Sequence, residues 1–317
     1  MCTTGALRLD GHDYLLFKNK DFGRRQFDDR LVLSQDVFGI KGISTWAGSD
    51  PLEDRFSGLS IGANRYGLFC ADSNVREEPA DGTNYDVLTE IALTKGFNVE
   101  SALESLQDAL AEGPYWCANL ILVDPTTIAA VEIRGNDLFV TRERGHATRT
   151  NHHIHFGATE SDHDTVTTQS RLNSSSLRLA RASSISDVFE LQGSHDDGPT
   201  GICNHSVYQT VYSYVLVRTR DETRLLVTKG HPCAADTRHE LRIPFGDQWA
   251  EEAGAAFFSR FPSVHASPAA ICQRSDVVSI QVVLLLIYRR FCRPKRRRCQ
   301  LALWKSVPST CHLDGVV

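Results

Sequence analysis

The chain of 317 residues has a formal net charge of −5, with 34 Lys and Arg against 39 Asp and Glu. Its 41% hydrophobic and 23% charged residues are ordinary for a globular protein and exclude wholesale disorder. The longest apolar-rich run, residues 277–288, is shorter than the roughly 20 residues that a membrane-spanning helix needs, so we expect no such helix.

The cellular compartment is indicated by the first residues and by the cysteines. No basic segment followed by an apolar one opens the chain, and the nine cysteines include no CxxC pair. These features are typical of a protein without a secretory signal and with reduced thiols, so we expect a cytoplasmic protein.

Strand-like runs separated by turn residues recur along the chain. Apolar-rich runs joined by Asp, Asn, Gly or Pro predict antiparallel hairpins, because those residues favour tight turns. The predicted strands span residues 2–9, 14–21, 59–63, 68–72, 119–123, 128–133, 138–141, 147–151, 211–217 and 224–228.

Helix pairs are predicted between these blocks of strands. Asn84 and Asn98 are predicted to cap two amphipathic segments, which end at Gly96 and Gly113. Two further helical segments are predicted near 170–181 and at 186–191. Antiparallel strands that alternate with helix pairs predict an α+β protein in which helices stack on antiparallel sheets.

The composition changes at about residue 263. Residues 263–317 carry 9 Lys and Arg against 2 Asp and Glu and hold four of the nine cysteines, which leaves residues 1–262 acidic. An acidic body argues against nucleic acid as the main partner. The basic segment is either a contact for an acidic membrane surface or nucleic acid, or a poorly ordered extension. We favour the second interpretation and predict two domains, 1–262 and 263–317.

Cys2 combines two reactive groups once Met1 is removed. The free α-amine has an ordinary pKa of about 7.7–8.0 and the thiol one of about 8.5, so one residue holds a base and a nucleophile. In the predicted hairpin, Lys18 and Asp21 end the strand opposite Cys2. Asp21 would orient the amine and Lys18 would favour the thiolate, unless the two form only a surface ion pair.

Several short motifs, in the matching order, resemble those of the cysteine N-terminal-nucleophile hydrolases. Residues 1–4, 18–22 and 62–74 are similar to motifs of this superfamily, which includes bile salt hydrolases and penicillin V acylases. Later motifs resemble its isopenicillin N acyltransferase-like branch and lie at Thr150-Asn151-His152, Ser170-Arg171, 202–205 and 230–233.

The resemblance implies a four-layer αββα sandwich and the cleavage of a linear amide or the transfer of its acyl group. It implies that Cys2 is the nucleophile, that Asp21 orients its amine and that Arg171 is a fixed charge in the site. Asn74 and Asn151 are then candidates for the oxyanion and substrate contacts, since an amide N–H suits a developing alkoxide.

Two of the motifs need further interpretation. Lys18 stands where bile salt hydrolases usually carry arginine, so a planar two-pronged contact is lost. In a strand His153 and His155 would share a face and so could meet one metal ion, but no carboxylate or cysteine at a suitable spacing completes the set. We therefore predict no metal site and expect His152 to support Asn151.

These observations predict a cysteine amidohydrolase or acyltransferase that acts on a small-molecule acyl amide through a Cys2 acyl-enzyme, with no cofactor. The bond would be a non-peptide carbon–nitrogen amide, and a homo-oligomer is possible. One alternative is a non-catalytic binding protein that keeps the fold. Another is an adaptor that binds membranes or nucleic acid through residues 263–317.

Overall fold

The computed structural model describes residues 1–9, 12–23, 27–43, 56–76, 82–157, 163–196, 198–235 and 238–262. The predicted extension over 263–317 lies outside the described residues, so the domain boundary at residue 262 stays a prediction.

The described residues form thirteen strands. They are β1 (Cys2–Arg8), β2 (Tyr14–Phe22), β3 (Leu31–Leu33), β4 (Val37–Ile43), β5 (Phe56–Asn64), β6 (Phe69–Asn74), β7 (Tyr115–Val123), β8 (Ile128–Gly135), β9 (Asp137–Glu143), β10 (His146–Arg149), β11 (Gln209–Arg218), β12 (Thr223–Lys229) and β13 (His239–Arg242). All ten predicted strands are present. The strand predicted at 147–151 ends early, at Arg149, and β3, β4 and β13 were not predicted.

The same part of the chain forms five α-helices. They are α1 (Asp86–Lys95), α2 (Val99–Glu112), α3 (His163–Leu179), α4 (Ile185–Gln192) and α5 (Glu251–Arg260). The four predicted helices are confirmed, and α5 was not predicted. None of these helices is both long enough and apolar enough to span a membrane.

The strands form two antiparallel sheets. One has six strands in the order β10-β1-β2-β11-β12-β13, and the other has seven in sequence order from β3 to β9. Most neighbouring strands in both sheets are joined as hairpins by short turns, as the turn residues predicted.

Three apolar clusters separate four layers. The largest lies between the sheets and contains Leu16 of the first and Phe69 of the second. A second packs α1 and α2 on the seven-stranded sheet, and a third packs α3 and α4 on the six-stranded sheet. Because both faces of each sheet are covered, central strands such as β2 are buried at every residue. The αββα sandwich is therefore confirmed.

The two predicted asparagine caps have different outcomes. Asn98 caps α2, because its side chain accepts a hydrogen bond from the Ser101 amide at 2.9 Å. The cap position of α1 is Tyr85, one residue after the predicted Asn84, but Asn84 Oδ1 still accepts a hydrogen bond from the Asp86 amide in the first turn, at 3.2 Å. The Asn84 side chain also donates to Asp86 Oδ2 at 2.9 Å, inside a buried polar cluster.

Candidate active site

The register of the first hairpin places Asp21 near the start of the chain. Cys2 pairs with Lys20 across β1 and β2, and the Asp21 amide donates to the Met1 carbonyl at 2.9 Å. Cys2 and the Asp21 side chain therefore lie at the same end of the six-stranded sheet. Cys2 is half-buried, whereas Asp21 is buried.

The main chain of Cys2 is held by Asn151 and Arg171. The Cys2 amide nitrogen donates to Asn151 Oδ1 at 2.8 Å, and Arg171 Nη2 donates to the same oxygen at 3.0 Å. Arg171 Nη1 donates to the Cys2 carbonyl at 2.8 Å and to Thr3 Oγ1 at 3.0 Å. Arg171 is fully buried, so α3 contributes a buried cation that fixes the orientation of the Cys2 main chain.

Asn151 lies in the loop that follows β10. The second sheet holds this loop, because Asn119 Nδ2 donates to the carbonyls of Thr150 at 3.0 Å and His152 at 2.9 Å. Ser73 Oγ also donates to the Thr150 carbonyl, at 2.7 Å. These bonds fix the backbone on both sides of Asn151.

The histidines after Asn151 point away from Cys2. His152 Nδ1 lies 2.8 Å from Thr168 Oγ1 of α3. His153 Nε2 lies 3.2 Å from a backbone carbonyl of β7, whereas the ring of His155 stacks on Phe139. His153 and His155 do not share the face of a strand, because the chain leaves the sheet after β10.

The Asp21 carboxyl is buried beside the N-terminus. Thr210 Oγ1 donates to Oδ1 at 2.8 Å, whereas Oδ2 is buried and has no hydrogen-bond partner among the described residues. Burial raises the pKa of Asp21 to about 6, although the charges of the α-amino group and Arg171 partly offset this effect. The unpartnered oxygen is suited to accept a hydrogen bond from an ammonium group.

Lys18 lies in the interior between the sheets, so the alternative of a surface ion pair was wrong. Its Nζ donates to Ser60 Oγ at 2.6 Å and to Asp72 Oδ1 at 2.8 Å, and also to the carbonyls of both residues. Burial alone lowers the pKa of Lys18, but the charges of Asp72 and Cys2 outweigh it, so the pKa is raised. Lys18 is thus a fixed cation near the Cys2 thiol.

Asp86 extends this polar cluster and was not predicted. It begins α1, and its pKa lies well above the ordinary value, because of burial and then the nearby charge of Asp72. A Cβ atom at Gly42 would lie 2.0 Å from Asp86 Cγ, so the side chain occupies space that only glycine leaves free. The sequence signal for this cluster was Asp72, which lies in the motif at 62–74.

These side chains line a small cleft that opens to solvent. Four of the predicted residues contribute to its wall, and they are joined there by Asp72 and Asp86. The four are Cys2, Lys18, Asp21 and Asn74. Asn151 and Arg171 bind the main chain of Cys2, and His152 faces α3. The Cys2 thiol, the Cys2 nitrogen and the buried cation of Lys18 are thus brought together at one small cleft.

The comparisons with known proteins agree with this fold. Residues 8–217 match the model of the acyl-coenzyme A:6-aminopenicillanic acid acyl-transferase family. A search of the curated proteins finds no significant match.

Several solved structures are similar to this chain. A mutant of conjugated bile acid hydrolase from Clostridium perfringens is 13% identical with a TM-score of 0.52, over 77% of this chain and 92% of that chain. Penicillin V acylase from Agrobacterium tumefaciens is 13% identical with a TM-score of 0.47, over 79% and 89%. The Caenorhabditis elegans ortholog of N-acylethanolamine-hydrolyzing acid amidase is 11% identical with a TM-score of 0.42, over 74% and 94%.

Proposed function

The chain belongs to the acyl-coenzyme A:6-aminopenicillanic acid acyl-transferase family, and from this premise we propose that it is a cysteine N-terminal-nucleophile enzyme. It hydrolyses a small, linear acyl amide, or transfers the acyl group, through a thioester on Cys2. The observation that carries the proposal is the 2.8 Å bond from the Cys2 nitrogen to Asn151 Oδ1, beside the cleft that the thiol lines.

Removal of Met1 converts that backbone nitrogen into a free α-amine. Asn151 Oδ1 already accepts a hydrogen bond from this nitrogen, and the unpartnered Asp21 Oδ2 offers a second acceptor nearby. The amine takes the thiol proton, and the positive charge of Lys18 stabilises the thiolate that forms.

The thiolate then attacks the amide carbonyl and forms a C–S bond, while the carbonyl oxygen becomes an oxyanion. Asn74 lines the cleft, and its side-chain amide is the proposed donor to that oxyanion. Asn151 has a different task, because its oxygen holds the Cys2 nitrogen and its Nδ2 donates to the Asn74 carbonyl at 2.8 Å.

Collapse of the tetrahedral intermediate breaks the C–N bond. The α-ammonium of Cys2 returns the proton to the departing amine, and a thioester remains on the sulfur. Water then releases a carboxylic acid, or an acceptor amine takes the acyl group. In both cases the α-amine serves as the base for the incoming nucleophile.

Intact-mass analysis of the full chain with an activated acyl ester as probe tests the proposal. We expect Met1 to be absent and one acyl adduct to form on Cys2. The adduct is lost in Cys2→Ala and forms slowly in Cys2→Ser, because a hydroxyl is a weaker nucleophile. The control Cys70→Ala removes a buried thiol and keeps the adduct.

A different result would favour the non-catalytic binding protein. Retained Met1 would block the α-amine and exclude the proton transfer described above. An adduct of equal rate in Cys2→Ala would show that another nucleophile reacts.

A further inference from the structure

A second cluster of reactive side chains lies at the end of the six-stranded sheet. His195 follows α4, Cys203 and His205 precede β11, and Cys233 follows β12. One ligand atom from each residue lies within 4.8 Å of the other three. We call these four residues the thiol–imidazole cluster. The motifs at 202–205 and 230–233 provide three of them, and the proposed chemistry of Cys2 uses none.

Hydrogen bonding does not account for this arrangement. His205 Nε2 lies 3.0 Å from His195 Nε2, 3.4 Å from Cys203 Sγ and 3.3 Å from Cys233 Sγ. A ring nitrogen carries either one hydrogen or one lone pair, so it makes one good hydrogen bond. Three close polar neighbours around one nitrogen are the arrangement expected of ligands that surround a shared cation.

We propose that the thiol–imidazole cluster binds one zinc ion. Tetrahedral zinc with Zn–S bonds of about 2.3 Å and Zn–N bonds of about 2.0–2.1 Å places its ligand atoms about 3.3–3.8 Å apart. The three distances to His205 Nε2, 3.0–3.4 Å, are close to this range. Two thiolates and two neutral imidazoles also balance the charge of the ion, and two cysteines with two histidines form a closed structural zinc site.

The ion would fix a loop that reaches the Cys2 site. Asn204 lies between two of the ligands, and its amide donates to Thr210 Oγ1 at 2.9 Å. Thr210 Oγ1 in turn donates to Asp21 Oδ1 at 2.8 Å. Zinc therefore stabilises the loop that positions Asp21 and takes no part in the chemistry. The zinc proposal does not depend on the proposed function.

The metal content of the full-length protein tests the site directly. We expect one zinc per chain after purification without chelator, measured by mass spectrometry of the metal. Cobalt in its place should give the visible d–d bands of a tetrahedral site and near-ultraviolet thiolate charge-transfer bands. Neither measurement requires a variant. Chelation should also lower the Tm of the wild-type protein.

Variants assign the ion to these residues. Cys233→Ala and His195→Ala change exposed side chains and should fold, yet each should lose the bound zinc and the cobalt bands. The matched controls are Cys70→Ala, which is a thiol in the other sheet, and His239→Ala, which is an exposed imidazole on β13. Both control variants should keep one bound zinc per chain.

Three results would overturn the proposal. The first is a reduced wild-type chain that retains no zinc after incubation with zinc chloride and gel filtration. The second is a Cys233→Ala variant that still binds one zinc per chain, which would place the ion elsewhere in the chain. The third is a disulfide between Cys203 and Cys233 in protein purified without oxygen, found by peptide mapping.

Discussion

The Cys2 nitrogen and Asn151 Oδ1 are 2.8 Å apart, although 149 residues separate them along the chain. The pairing of β1 with β10 explains the contact. Thr4 pairs with Arg149, and continuing this register places Cys2 opposite Asn151 even though the strand has ended. The loop therefore keeps the position of a strand residue while its side chain is free to turn toward the Cys2 nitrogen.

Replacement of Asn151 should reduce turnover more than substrate binding. We expect Asn151→Ala to lower kcat by about 100-fold, because a misplaced catalytic group of this kind costs on that order, with a smaller change in KM. Asn136→Ala is the control, since Asn136 donates to the carbonyl of Leu110 and lies far from Cys2 in the other sheet. Equal kcat values for the two variants would exclude a positioning role for Asn151.

Arg171 should not tolerate lysine. Its guanidinium contacts three oxygens of Cys2, Thr3 and Asn151, and an ammonium cannot reach all three. We expect Arg171→Lys to lower the free energy of unfolding by about 3 kcal/mol, because buried acceptors lose their partner. Urea denaturation measures this value.

Arg178→Lys is the matched control on the same helix. Arg178 pairs with Asp196 at the surface, so we expect a loss below about 1 kcal/mol. Similar losses for the two variants would mean that the three contacts of Arg171 contribute little.

Removal of the Lys18 cation should be more costly than removal of both charges. Lys18→Met leaves Asp72 buried without its counter-ion, which costs about 3–5 kcal/mol of unfolding free energy. The double variant Lys18→Met/Asp72→Asn should recover part of this loss, since neither member of the pair is then charged. Arg142→Met breaks an exposed pair with Glu100 and should cost less than about 1 kcal/mol. An additive double variant would contradict the pairing.

Local patterns in the sequence predicted most of the fold. The hairpin that carries Cys2 and Asp21 depends on nearby turn residues, and the Asn98 cap depends on Ser101 three residues later. Strand β4 was missed because Gly39 and Gly42 weaken the strand signal, and its register is set by packing against other elements. Asn84 lies one residue before the cap of α1, and its side chain bonds both the amide and the buried carboxyl of Asp86, two residues later.

The candidate site was predictable only in part for the same reason. The motifs pointed to Cys2, Lys18, Asp21 and Asn74, and these residues do line one cleft. Asp86, at the start of α1, reaches the cleft only because Gly42 of β4 leaves room for its side chain. The thiol–imidazole cluster combines three separate segments, so its spacing matches no linear metal motif.

Gly42 should be intolerant of a side chain. The Cβ of alanine would lie 2.0 Å from Asp86 Cγ, so either the strand or the carboxyl must move. We expect Gly42→Ala to cost about 1–3 kcal/mol of unfolding free energy, as overpacking usually does. Gly42→Ala/Asp86→Ala should be more stable than the sum of its single variants. Gly145→Ala is the control, since nothing lies within 4 Å of the added atom.

The buried carboxyl of Asp21 should make stability depend on pH. Its pKa is raised from 3.8 to about 6, so the folded state favours the protonated acid. The resulting stabilisation is complete below about pH 4 and is lost as the pH rises through the folded pKa. In the chain that retains Met1, Asp21→Asn, which cannot ionise, should therefore be about 2–3 kcal/mol more stable than the same chain with Asp21 at pH 8, with little difference at pH 4.

Glu100→Gln should change the stability with pH in the opposite direction. The pKa of Glu100 is lowered by its hydrogen bond to Arg142, so the variant should lose a little stability at pH 8 and none at low pH. Urea denaturation across this pH range measures both series.

The same Asp21→Asn variant should have reduced turnover, because the amide cannot balance the charge of the Cys2 ammonium. A variant that is less stable than wild type at pH 8 would show that the Asp21 charge stabilises the fold.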